Sequence, residues 1–192
     1  MQHLPGLDNS QDVVNKYFEA YQIDYKKHLS GFKNGLFLNI FCETYASMPY
    51  YDRRWLGSLW VLYRQYIHMR ERTVAEALDE DPEQNITWHY LCRLVHLSVF
   101  SYKFHPITRT KARTVSNQLC RNRTWSKSLL YTLISNGLLL ADWTYQTNSV
   151  DEKTVVKFEY EQMEDVMRAI AFLSTKSDEQ TKISQLKEWI KS

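Results

Sequence analysis

Apolar residues recur at three- and four-residue intervals along most of this chain, and that spacing predicts helices. Val13, Val14, Tyr17, Phe18 and Tyr21 make the first such stripe, with Asn9 or Ser10 as its N-cap and Asp12 in its first turn. After the basic stretch Lys26, Lys27, His28 and the break at Asn34-Gly35, residues 36–42 read as a buried helix. Pro49 interrupts the pattern, and a long helix is predicted over about 53–78, with Trp55, Leu59, Leu62, Tyr66 and Met69 on one face. The run Asp79-Glu80-Asp81-Pro82 ends it and sets a boundary between a helical subdomain, 1–82, and a second subdomain, 83–192. The second opens with a helix over about 86–102, with Leu91, Leu94, Val95, Val99 and Phe100 inward.

The pattern then changes. Pro106 is placed to open a helix that runs through Leu119, with Val115 and Leu119 inward. Residues 125–136 make the next helix, and Gly137 suits its C-terminal cap. Residues 138–145 and 154–160 read as strands around a polar loop; in the second, Val156, Phe158 and Tyr160 alternate with Lys157 and Glu159. Met163, Val166, Met167, Ile170 and Leu173 form a further amphipathic helix, and residues 178–190 a last, polar one. Helix, helix and hairpin in this order predict a winged helix-turn-helix. The expected fold is mainly α: a small helical bundle, then a winged helix-turn-helix with a β-hairpin wing.

Composition agrees with long helices, since 192 residues hold only 5 glycines and 4 prolines. It also removes several chemistries. No glycine-rich loop is present to cradle a phosphate. The six histidines form no close pair, and His89 and His96, seven apart, are too distant to chelate together, so no metal site is expected. Cys42, Cys92 and Cys120 are widely spaced and read as buried thiols of a reducing compartment. No serine or cysteine sits in a nucleophile-elbow context. The start of the chain does not read as a signal peptide, and no apolar run spans a membrane. The expectation is a cytoplasmic protein without catalytic residues, cofactor or membrane partner.

Charge adds one feature. No Asp or Glu lies between Glu83 and Asp142, a stretch holding Arg93, Lys103, Arg109, Lys111, Arg113, Arg121, Arg123 and Lys127. Eight of the 24 basic residues are therefore gathered there, and the other 16 are outnumbered by 22 acidic ones. An acidic partner is expected for the basic residues Arg109, Lys111, Arg113, Arg121, Arg123 and Lys127: nucleic acid, another protein, or the acidic remainder of the chain itself. In a DNA-binding winged helix, the helix after Trp125 would enter the major groove. Its sequence, Trp-Ser-Lys-Ser-Leu-Leu-Tyr-Thr-Leu-Ile-Ser-Asn, is poor in groups that read bases, which favours protein contact over nucleic acid.

Three passages carry a family resemblance. Gly6-Leu7-Asp8 and Tyr17-Phe18-Glu19-Ala20-Tyr21-Gln22-Ile23 precede Asn34-Gly35-Leu36-Phe37-Leu38-Asn39-Ile40-Phe41-Cys42-Glu43. Much later comes Val156-Lys157-Phe158-Glu159-Tyr160-Glu161-Gln162-Met163-Glu164-Asp165. In order and spacing these resemble the helical lid and winged helix that follow the P-loop core in bacterial STAND NTPases of the NACHT-like, antiviral kind. The resemblance implies a non-catalytic regulatory segment of a signalling NTPase in antiphage defence, partnered by other domains of that NTPase. It places Asn34, Gly35, Leu36, Asp165 and Val166 near the nucleotide. Gly35 stands where the family has a lid proline, and Val166 where it has a histidine. The P-loop and the Mg²⁺-binding acid are absent from these residues, so ATP and Mg²⁺ would be bound only with an upstream core. A stand-alone winged-helix DNA-binding regulator is the alternative.

Overall fold

A computed structural model describes residues 11–23, 35–49, 58–99, 107–120, 124–143 and 154–173. It is mainly helical with one small three-stranded antiparallel sheet. The chain divides into two compact units, residues 1–69 and 70–192. The Asp79–Pro82 run does end the long helix, and the division into units falls before it, within that helix.

The first unit contains α1 (Gln11–Ala20), α2 (Gly35–Ser47) and the start of α3 (Leu59–Leu78). Val14 and Phe18 carry the buried stripe of α1, four residues apart, and Phe18 stacks on Phe41 of α2 with ring centroids 6.1 Å apart. Tyr45 continues the aromatic row at 5.7 Å from Phe41. The α3 residues buried in this unit are Leu62, Tyr63, Tyr66 and Ile67. Leu59, expected inward, is 37% exposed: the buried stripe of α3 is rotated from the predicted one, and Tyr63 and Ile67 take the place of Leu59 and Met69. The helix of α1 ends with Gln22 at φ 53°, where Ile23 N–H donates to Phe18 O and Gln22 N–H to Glu19 O, a Schellman closure without glycine.

The second unit contains the end of α3, then α4 (Ile86–Val99), β1 (Ile107–Thr108), α5 (Arg109–Leu119), α6 (Leu129–Ser135), β2 (Leu139–Trp143), β3 (Thr154–Phe158) and α7 (Glu161–Leu173). The strand order is β1-β3-β2, all antiparallel, with Ile107 opposite Val156 and Leu139 opposite Phe158. β1 is a correction to the sequence reading, which began a helix at Pro106. Two residues are too short to show a period, and pairing with β3 decides their conformation. β3 is central in the sheet, so Val155 is buried as well as Val156 and Phe158; only Lys157 stands out to solvent, paired with Asp142 at 3.1 Å.

α4 packs against α5 and α7. Its buried Tyr90 donates from its hydroxyl to the Ala112 carbonyl of α5 at 2.9 Å. In α7 the buried positions are Met163, Met167, Ala171 and Phe172, while Leu173 is 67% exposed. The expected inward set with Val166, Ile170 and Leu173 is therefore rotated. Glu164 and Arg168, an ion pair one turn apart with side chains 15% and 21% exposed, fill part of the space assigned to apolar residues. Residues 174–192, including the predicted last helix, lie outside the described residues, as do the ends of the first predicted strand and of the helix over 86–102; the second strand ends at Phe158, two residues before the predicted end.

Candidate interaction surface

α5 and the turn that leads into α6 gather Arg109, Lys111, Arg113 and Lys127, and local capping holds this pair of helices in place. Thr108, the last residue of β1, is also the N-cap of α5; its hydroxyl accepts from Lys111 N–H at 3.4 Å. The chain thus passes from sheet to helix without a loop, and Arg109 becomes the first residue of α5. Residues 125–127 form a single 3-10 turn, not the first turn of a long helix as expected, and α6 starts only at Leu129. The reason is Ser128, whose Oγ accepts from Tyr131 N–H at 3.2 Å and donates to Trp125 O at 2.7 Å. The next orphan donor, Leu130 N–H, reaches Ser116 Oγ of α5 at 3.3 Å. Gly137, at φ +66°, closes α6: Leu138 N–H donates to Leu133 O and Gly137 N–H to Ile134 O.

This scaffold brings Arg109 against Trp125, sixteen residues later. The guanidinium carbon lies 4.0 Å from the ring centroid. The other partner of Trp125 is Tyr131, edge-on at 5.7 Å and 69°, itself 38% exposed. The Arg109–Trp125 approach is a cation–π contact, and Arg109 is half-buried in it. Lys111, Arg113 and Lys127 are exposed. At about 100° per residue, Arg109 and Arg113 share one flank of α5 and Lys111 lies on the opposite flank. Between them are the exposed Thr110 and Thr114. The basic residues therefore wrap the outer half of α5. Arg121 and Arg123 lie outside the described residues.

The nucleotide-proximal residues implied by the resemblance are divided between the units. Asn34 lies outside the described residues; Gly35 opens α2 and Leu36 is 40% exposed beside it. Asp165 is exposed and Val166 half-buried on α7.

Electrostatics elsewhere is that of a packed interior. Burial pushes the Cys42 thiol up to about 12, with the Glu43 carboxylate adding to the shift, and pushes Cys92 up to about 11, so both are held as thiols at neutral pH. Burial also raises the Glu164 carboxyl, against the opposing pull of Arg168 and of a backbone hydrogen bond from Phe158. Among the described residues no group of three or more His, Cys, Asp or Glu could hold a metal ion, and no helix is long and apolar enough to cross a membrane.

Sequence reasoning missed two residues that matter to this unit. Glu71 is 2% exposed on α3 and caps α4 by accepting Thr87 N–H. Its signal was available, since it falls on the stripe shared by Val74, Ala75 and Leu78. Trp125 as the seat of Arg109 left no signal, because nothing local links the two. Neither a protein family, nor a curated protein, nor a solved structure matches this chain.

Proposed function

We propose that residues 86–173 form a winged helix and that the chain is a non-catalytic interaction module, the lid and winged-helix regulatory segment of a STAND-like signalling NTPase. One observation carries the winged-helix reading: the order α4-β1-α5-α6-β2-β3 combined with the sheet order β1-β3-β2. In that arrangement β2 and β3 are the hairpin, β1 pairs on its returning strand, and α5 and α6 are the helix-turn-helix. The STAND-like reading is supported by the Asn34–Glu43 and Val156–Asp165 passages and carries the role in antiphage defence with it.

In this role the segment acts as a switch, biased by ligand between two packings of near-equal free energy. Gly35 and Val166, in place of the proline and histidine, leave interdomain packing as the main contribution. ATP and Mg²⁺ are then held by an upstream core. Two measurements test this. Sequencing the transcript upstream of Met1 is expected to find a P-loop in frame. Calorimetry of the 192-residue chain with MgATP is expected to show no saturable heat; tight binding would remove the claim that another core supplies the nucleotide site.

A second reading, a stand-alone winged-helix DNA-binding regulator, is favoured by the exposed Lys111, Arg113 and Lys127. It is weakened by α6, seven residues long, whose exposed positions are Tyr131 and Ser135. Neither is a strong reader of base edges.

A further inference from the structure

We propose that the outer surface of α5 and the Trp125 turn binds the phosphate backbone of duplex nucleic acid without reading its sequence. The inference goes beyond the regulatory reading and does not depend on it; it needs only the placement of these side chains.

The first argument is charge. Arg109, Lys111, Arg113 and Lys127 all lie on α5 or on the turn that leads into α6, and residues 107–141 contain no Asp or Glu. No acid within that stretch is therefore available to neutralise them, and a partner carrying regularly spaced negative charge complements the surface.

The second argument separates phosphate from an acidic protein. Protein interfaces gain most of their energy from a few apolar or aromatic anchors at the centre. The exposed residues of α5 are Thr110, Lys111, Arg113, Thr114 and Gln118, with no apolar side chain among them; the aromatic pair Trp125–Tyr131 stands at one edge, against Arg109, and not at the centre. Hydroxyls, amides and cations are the groups that contact phosphates. Thr124 and Ser126 add exposed hydroxyls on either side of Trp125.

The third argument is the Arg109–Trp125 stack. At 4.0 Å from the ring centroid, the guanidinium has an aromatic seat on the protein itself, with no ligand needed to form it. A guanidinium can donate to two phosphate oxygens at once, and a side chain already seated loses less freedom on binding. Trp125 is thus a positioning residue for Arg109. Sequence neutrality follows from α6, which offers Tyr131 and Ser135 where a groove reader needs Arg, Asn or Gln.

The test is fluorescence anisotropy of the full chain with two labelled duplexes of equal length and unrelated sequence. Both are expected to bind alike, and three neutralised phosphates would cost about 40-fold in affinity between about 50 and about 200 mM salt. Arg109→Ala is expected to lower the salt slope by about one contact. Trp125→Leu is expected to weaken binding a few-fold while leaving that slope unchanged, because the charge stays and only its ordering is lost. The double change Lys111→Glu with Arg113→Glu is expected to abolish binding; should it fail to fold, the single Lys111→Gln at a solvent-exposed site gives the same direction. Three results would overturn the proposal: no binding at the lower salt, a preference above tenfold for one duplex, or displacement by a poly-glutamate peptide as readily as by unlabelled duplex at equal charge. The last would assign the surface to an acidic protein.

Discussion

The two carboxylate oxygens of Glu71 lie 3.0 and 3.3 Å from the backbone nitrogen of Thr87, so the end of α3 supplies the N-terminal cap of α4. Glu71 is 2% and Thr87 0% exposed, which places a charged acceptor inside the unit against the positive end of a helix. Removal of the carboxylate strands a buried N–H. Glu71→Ala is expected to cost about 2–3 kcal/mol in urea unfolding, and Glu71→Gln less, since its carbonyl can still accept. Hydrogen exchange should locate the loss: the Thr87 amide exchanges faster in Glu71→Ala than amides of β3 do. Equal protection of Thr87 in both proteins would refute the cap.

Three helix ends close in the left-handed region by the same hydrogen-bond pattern, but only one uses glycine. Gly137 has φ +66°, Gln22 φ 53° and Asp79 φ 54°. A Cβ built on Gly137 meets nothing within 4 Å, so conformation alone penalises a side chain there. Gly137→Ala is expected to lose about 1 kcal/mol, and Asp79→Gly to gain a few tenths of a kcal/mol to about 1. Opposite shifts in Tm of about 2–4 °C per kcal/mol, read by calorimetry, check the pair.

Much of this fold is legible in the sequence where a period runs long enough. α1, α2, α4, β2 and β3 follow from spacing and punctuation, and Gly137 marks the end of α6 because only glycine enters that backbone region cheaply. β1 is not legible: Ile107 and Thr108 are extended because Val156 and Val155 lie opposite them. The rotation of α7 is hidden for a related reason. Glu164 and Arg168 read as solvent-facing charges, yet paired with each other they can be half-buried, and Leu173 is displaced outward. The basic cluster is visible as a count of charges; its arrangement around α5 depends on Thr108 starting the helix one residue before Arg109.

Glu164 makes stability depend on acidity in a particular direction. Burial raises its carboxyl above the ordinary 4.5, with Arg168 opposing the shift. The folded chain therefore holds this proton more tightly than the unfolded chain, and stability contributed by the site falls as pH rises from the ordinary value through the raised one. Glu164→Gln cannot titrate and is expected to lose that decline. Urea midpoints measured across the acidic range compare the two proteins; parallel curves would exclude the site as a source of pH dependence.

The Tyr90 hydroxyl spends its proton on the Ala112 carbonyl, joining α4 to the middle of α5. Burial raises this phenol, so it remains a donor throughout the range in which proteins are handled. Tyr90→Phe keeps the ring and removes one neutral hydrogen bond, for an expected loss of about 1 kcal/mol. Tyr90→Leu also loses aromatic packing and should cost more. A Phe variant as stable as the parent would show that the contact contributes nothing net.

Arg109 and Trp125 can be tested as a pair independently of any ligand. A guanidinium 4.0 Å from an indole centroid on a partly exposed surface is expected to contribute about 0.5–1 kcal/mol. Single changes overstate this, because Trp125 also meets Tyr131. The double-mutant cycle Arg109→Ala, Trp125→Leu removes that separate contribution and leaves the coupling. Coupling between two groups on one surface should also resist salt more than an ion pair does, since the indole carries no net charge to screen. A cycle that closes to zero would mean that the stack orders nothing, and phosphate binding would then have to rest on charge number alone.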